Sequence, residues 1–217
     1  MKIDAVILDF DGTVVDSEFT WKEVEQDVLT RHGYPMPQEL LFELSGMGID
    51  KWLQIVFEKL NVKNIDVQIV KTEILSRVYK LINDTSPLQP GFEILSEVVK
   101  QNNLPFAICT SSEFDLLLPT LKRLDITNLF QVLHSAHGYE NMKPHPEPYL
   151  LTAEKLGVDI KNCVVVEDSI TGIKSAMASG AKTFAIPYPH DLERAKQLDV
   201  EIVKDMSVVA DYIKNNI

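Results

Sequence analysis

The chain has 217 residues and a formal net charge of −11, with 45% hydrophobic and 24% charged residues. That length suits one large domain, or a core carrying a modest insertion, and the composition is that of a soluble globular enzyme. The acidity argues against nucleic acid or an anionic membrane as partner, and an anionic substrate would need a local positive site, usually a metal ion.

The N-terminal MKIDAVILDF lacks the layout of a signal peptide. No apolar stretch approaches the roughly 20 residues of a membrane helix. A cytoplasmic, monomeric protein is expected. Residues 4–9 (DAVILD) form a short, β-rich apolar run. Residues 18–84 then read as consecutive helices, with Val24, Val28 and Leu29, or Ile74, Val78 and Leu81, at helical spacing. Pro35, Pro37, Gly46 and Gly48 punctuate the connections. After Pro87 and Pro90, helical stretches at 91–102, 113–124, 146–156 and 170–179 alternate with apolar runs at 105–110, 131–135, 163–167 and 182–186. Such alternation predicts an α/β fold: a Rossmann-like parallel sheet with helices on both faces. An all-α domain (residues 17–85) is inserted after the first strand, and the core comprises 1–16 and 86–217. Cys109 and Cys163 lie inside two of the apolar runs and read as buried, reduced thiols. The five histidines show no ligand spacing, and none is given a catalytic role.

The stretch DFDGTVVDS (9–17) carries the most chemistry. Strand residues two apart point the same way, so Asp9 and Asp11 can converge at the strand's C-terminal end, where α/β sheets bind ligands. Gly12 permits the tight turn that follows. Taken alone, the same string could be a turn with a strand-end cap. A second acidic pair, Glu167-Asp168, ends the run CVVVE and brings the same edge a further negative pair; helix capping by Asp168 or Ser169 is the competing explanation. Carboxylates so crowded require a cation, and hard oxygen ligands without histidine or cysteine select Mg²⁺. Asp9, Asp11, Glu167 and Asp168 are the candidate ligands. Thr110, Ser111 and Ser112 place hydroxyls between a strand and a helix, where they could cradle an anion or merely cap the helix. Lys143, in a proline-stiffened turn, offers a point charge to a phosphoryl group; a loop lysine is otherwise commonly solvated surface.

Together, DFDGT (9–13), Thr110 or Ser111, Lys143 before a proline, and Glu167-Asp168 resemble the four motifs of the haloacid-dehalogenase-like (HAD) superfamily of phosphohydrolases, across essentially the whole chain. TGIKSAMASGA (171–181) is similar to the helix after the last motif, and the insertion after DFDGTVVDS to a helical cap. The resemblance implies a phosphatase acting on a small phosphorylated metabolite. Asp9 would be nucleophile and magnesium ligand. Asp11 would be general acid and then base, its backbone carbonyl on the metal. Thr110 or Ser111 and Lys143 would hold the phosphoryl oxygens, Asp168 would ligate magnesium, and Glu167 would stand at or just behind it.

DSE..W (Asp16, Ser17, Glu18, Trp21), KPHP.PYL..AEKLGVD (143–159) and VVVEDSITG (164–172) are similar to sugar-phosphate phosphatases acting on 2-deoxyglucose 6-phosphate and hexitol phosphates. The β-phosphoglucomutases share the motifs but carry histidine where this chain has Trp21, which favours hydrolysis over mutase action. Dehalogenases lack a counterpart of Asp11. A catalytically silent binding module is the remaining alternative, opposed by intact Asp9, Asp11, Lys143 and Asp168. Specificity is expected from the cap, where LSGMGIDKW (44–52) has the composition of a closing loop. In it Met47 and Trp52 either meet substrate or pack in the cap core, and Trp21 shares that ambiguity.

Overall fold

A computed structural model describes residues 2–44 and 46–217. The apolar runs form strands β1 (Ala5–Leu8), β2 (Phe106–Thr110), β3 (Val132–Ser135), β4 (Cys163–Glu167) and β5 (Lys182–Ala185), and Glu201–Ile202, outside those runs, forms β6. They make one six-stranded sheet of order β3-β2-β1-β4-β5-β6, with every pair parallel. β1 pairs with β2 on one side, Val6 opposite Phe106, and with β4 on the other, Ala5 opposite Cys163. Strand alternation sends Val6, Leu8, Ile108, Val164 and Val166 into one apolar layer and Ala5, Ile7, Ala107, Cys109 and Val165 into the other. Cys109 and Cys163 are accordingly buried free thiols, their pKa values pushed up by burial to about 11 and about 12.

Helices α5 (Phe92–Gln101) and α10 (Met206–Lys214) cover the first layer, and α7 (Glu147–Leu156) and α8 (Ile170–Ser179) the second. α6 (Phe114–Arg123) follows β2, and the short α9 (Leu192–Ala195) follows β5. The strand order reverses beside β1, so the chain leaves β1 and β4 in opposite directions and opens a crevice at their carboxyl ends.

Between β1 and α5 the chain forms α1 (Glu18–Arg31), α2 (Gln38–Glu43), α3 (Ile49–Lys59) and α4 (Val67–Thr85), with no strand among the described residues there. Val24, Val28 and Leu29 are buried as expected. On α4 the buried stripe is Val70, Ile74, Val78 and Ile82, four residues apart, whereas Leu81 is 39% exposed. Leu81 therefore corrects the sequence reading: one step of helix rotation turns it off the stripe. α6 joins this segment to the sheet layer, since Thr120 bonds Asn83 and Arg123 donates to the carbonyls of Ile82 and Ser86. Among the described residues no helix is long and apolar enough to cross a membrane.

Candidate active site

Asp9 directly follows β1, and its amide continues the ladder by donating to the Val166 carbonyl of β4. Lys143 reaches the same point from the turn before α7. Its Nζ lies 2.5 Å from Asp9 Oδ1, 2.6 Å from Glu167 Oε1 and 2.9 Å from the Cys109 carbonyl. Burial alone would lower the lysine's pKa, but the two carboxylates outweigh it and hold the group protonated. Glu167, at the end of β4, is fully buried. Its Oε1 also accepts from the Tyr149 hydroxyl at 2.6 Å, and its Oε2 from the Asp168 and Ser169 amides and the Ser169 hydroxyl.

Gly12 and Gly172 make room for this acidic cluster. Gly12 has φ +82, and a Cβ there would lie 2.2 Å from Asp168 Oδ2. A Cβ on Gly172 would lie 1.9 Å from Glu167 Oε1. Any larger residue at either position would displace a site carboxylate. The cap of α8 is Ser169, whose Oγ accepts from the Gly172 amide. Asp168 is thus not consumed in capping, and it accepts from Thr13 Oγ1 at 2.9 Å. Likewise no hydroxyl of Thr110, Ser111 or Ser112 caps α6, whose N-cap is Glu113 without a side-chain bond. Thr110 Oγ1 accepts from the Ser112 amide, which tightens the loop after β2.

Asp11 points away from Asp9's partners. Its Oδ1 accepts from Ser17 Oγ at 2.9 Å and Trp21 Nε1 at 3.0 Å, and its Oδ2 from Ser112 Oγ at 2.5 Å. Burial raises its pKa although those three donors favour the anion. Trp21, ambiguous in sequence, is therefore a partner of Asp11. Asp9, Asp11, Thr110, Ser111, Lys143 and Asp168 all line one cavity, while Glu167 lies behind its wall.

The charge balance of this cluster fits a cation. Burial pushes the Asp9 carboxyl up to about 8 against the pull of Lys143, and Asp168 is raised well above the ordinary carboxylate range by burial and by Glu167 and Asp9. One carboxylate oxygen from each of Asp9, Glu167 and Asp168 falls within a 4.8 Å group. Buried acids held this high are under-compensated, which an oxygen-preferring divalent ion would reverse.

The haloacid dehalogenase-like hydrolase family model matches residues 6–186. The chain belongs to this family. It is 31% identical over 189 residues to hexitol phosphatase B of Escherichia coli, covering 87% of this chain and 85% of that protein. It is 30% identical to a phosphorylated carbohydrates phosphatase of Thermotoga maritima, covering 82% of each. A β-phosphoglucomutase of Clostridium difficile has the same fold, with a TM-score of 0.84 at 23% identity over 99% of this chain and 96% of that one.

In this HAD-like protein the helical segment also lines the cavity. Gly46 and Met47 are among its lining residues, and the Gly46 carbonyl accepts from Thr171 Oγ1 of α8 at 3.0 Å. Of the stretch 44–52, Ser45 lies outside the described residues. Trp52 is not a loop residue: it is 1% exposed within α3, yet it lines the cavity, and its Nε1 has no hydrogen-bond partner among the described residues. Met47 is half-buried against the main apolar layer and also lines the cavity.

Sequence reasoning missed Tyr149, which anchors Glu167 and stacks its ring 4.8 Å from Lys143 Nζ. It also missed Lys22 and Glu25 on the α1 wall, and His137, which lines the cavity beside Glu113. The spacing of Glu18, Lys22 and Glu25, four and three residues apart, was the available signal for an α1 cluster.

Proposed function

We propose that this protein is a magnesium-dependent phosphatase that hydrolyses a small sugar or sugar-alcohol phosphate through a phosphoryl group carried on Asp9. The supporting observation is the pairing of Asp9 with Lys143 at one cavity wall that also holds Asp11, Thr110, Ser111 and Asp168. The substrate class rests on the relatives named above, which act on hexitol phosphates and phosphorylated carbohydrates. Residues 17–85 serve as a cap over a core of 1–16 and 86–217, a reading supported by the Gly46–Thr171 contact.

An Asp9 carboxylate oxygen attacks phosphorus, and the bond from phosphorus to the leaving oxygen breaks as Asp11 gives that oxygen a proton. Water then attacks the phosphoryl group on Asp9, Asp11 takes its proton, and the bond to Asp9 breaks to release inorganic phosphate. Splitting the displacement in two eases each half, and proton transfer of this kind adds about 10²–10⁴-fold. Lys143 and the Thr110–Ser111 loop hold the phosphoryl oxygens. Asp9, Asp168 and the Asp11 backbone carbonyl would hold Mg²⁺, with Glu167 behind them because donors already occupy both its oxygens. The ion supplies charge stabilisation to the transferring group.

A mutase reading draws on the shared fold; Trp21 on Asp11 favours hydrolysis. Incubation with a panel of phosphorylated metabolites and Mg²⁺ tests both. Free phosphate is expected, lost in excess chelator and restored by Mg²⁺, and Mg²⁺ alone should raise Tm, since a ligand at 100 times its Kd stabilises by about 2.7 kcal/mol. An isomeric phosphosugar without free phosphate would establish the mutase instead, and full turnover in excess chelator would remove the metal role.

A further inference from the structure

The cavity wall contributed by α1 is charged but internally balanced. Lys22 and Glu25 are 5% and 4% exposed, far more buried than helix-surface residues of their type. Lys22 Nζ lies 3.4 Å from Glu25 Oε2 and 3.7 Å from Glu18 Oε1. The other basic groups on the cavity are matched in the same way: Lys143 by Asp9 and Glu167, and His137 by Glu113 at 3.2 Å. Among the described lining residues, six carboxylates (Asp9, Asp11, Glu18, Glu25, Glu113 and Asp168) face these three basic side chains. Lys143 and a metal at the sheet edge serve the phosphoryl group that is transferred. Among the described lining residues nothing cationic is left over for a second one.

We propose that the Lys22–Glu25 pair selects a leaving group that is neutral and rich in hydroxyls, and rejects one bearing a second phosphate or a carboxylate. This deepens the phosphatase reading and rests on it. A buried ion pair can exchange hydrogen bonds with sugar hydroxyls, which both accept and donate, without being left unpaired. The indole N–H of Trp52 adds a donor without a partner among the described residues, and Leu44 and Met47 offer apolar surface to the carbon chain. A second phosphate dianion would instead meet carboxylates in a desolvated pocket, where like charges repel strongly. The same balance separates hydrolysis from mutase chemistry, because a phosphosugar mutase must hold a doubly phosphorylated intermediate.

The test compares kcat/KM for phosphate release from sorbitol 6-phosphate, fructose 1,6-bisphosphate and p-nitrophenyl phosphate, with Mg²⁺. The pH is held above the Glu25 titration, which burial pushes up to about 7. The native protein should favour the hexitol monophosphate over the bisphosphate by at least about tenfold, or about 1.4 kcal/mol. Glu25→Gln releases Lys22 from one carboxylate, so the preference should narrow severalfold. Lys22→Gln removes the cation, so the preference should widen. A structural defect alone would not move the ratio in opposite directions. Equal or better use of the bisphosphate by the native protein overturns the inference and leaves the phosphatase reading standing, as does a ratio unmoved in both variants. Failure to release phosphate from all three compounds overturns the reading beneath it.

Discussion

The two walls of the cavity are made differently. At the sheet edge, Asp9, Lys143 and the Glu167-Asp168 pair come from distant parts of the chain; short, buried hydrogen bonds from Lys143 join Asp9 to Glu167, and Asp168 accepts from Thr13. On the helical side, Lys22 and Glu25 are partners within one helix, and Met47 and Trp52 come from a loop and the helix after it. Changes at the edge therefore dismantle several interactions at once, while changes on the helical wall alter one local contact. A fold organised this way can keep its reaction and vary its substrate.

The largest effect is expected at Asp9. Asp9→Asn should drop turnover to background, yet the metal-free variant should remain folded. The native carboxyl is pushed from an ordinary 3.8 up to about 8, so the folded state binds this proton more tightly than the unfolded state does. Stability contributed by that proton is present below about pH 4 and is lost as pH rises through 8. Asn cannot show the loss, so the Tm of Asp9→Asn relative to native, without metal, should rise between pH 5 and pH 8. Melting curves over that range check the sign, and a falling difference contradicts it.

Glu167 comes next. Glu167→Ala leaves Lys143 with one carboxylate and the Tyr149 hydroxyl without an acceptor, in a fully buried place. Breaking such a buried pair costs about 3–5 kcal/mol, readable by denaturant titration. A cost below about 1 kcal/mol would mean that the cluster does not depend on this anchor.

The smallest effect separates the helical wall from its own core. Ile74→Ala, in the buried α4 stripe, should cost about 2–5 kcal/mol without changing the order of substrates. Met47→Ala should cost less stability but change relative kcat/KM among sugar phosphates, because Met47 is half-buried and faces the cavity. Uniform loss across substrates with a large drop in Tm would make Met47 a packing residue only.

Much of the sheet was legible because parallel strands buried on both faces leave continuous apolar runs such as AVIL and CVVVE, and their polar ends name the edge. Asp9, Lys143 and Asp168 could be picked out because each follows a strand or sits in a proline-stiffened turn. β6 and α10 were not read, since a two-residue edge strand carries almost no pattern. Tyr149 resembled ordinary helix filling, and its role depends on Glu167, eighteen residues away and brought close by the packing of α7 on the sheet. Trp21 and Trp52 could not be sorted by spacing, because an indole can be buried and still line a cavity.

The proposed mechanism stands or falls on phosphoryl transfer to Asp9. Asp11→Asn should retain the first step best with p-nitrophenyl phosphate, whose leaving group needs little protonation, while losing the base for water. Rapid-quench mass spectrometry of this variant with Mg²⁺ is then expected to show one phosphoryl adduct in the peptide containing Asp9. An adduct on another residue, or substantial turnover by Asp9→Asn, would contradict phosphoryl transfer to Asp9.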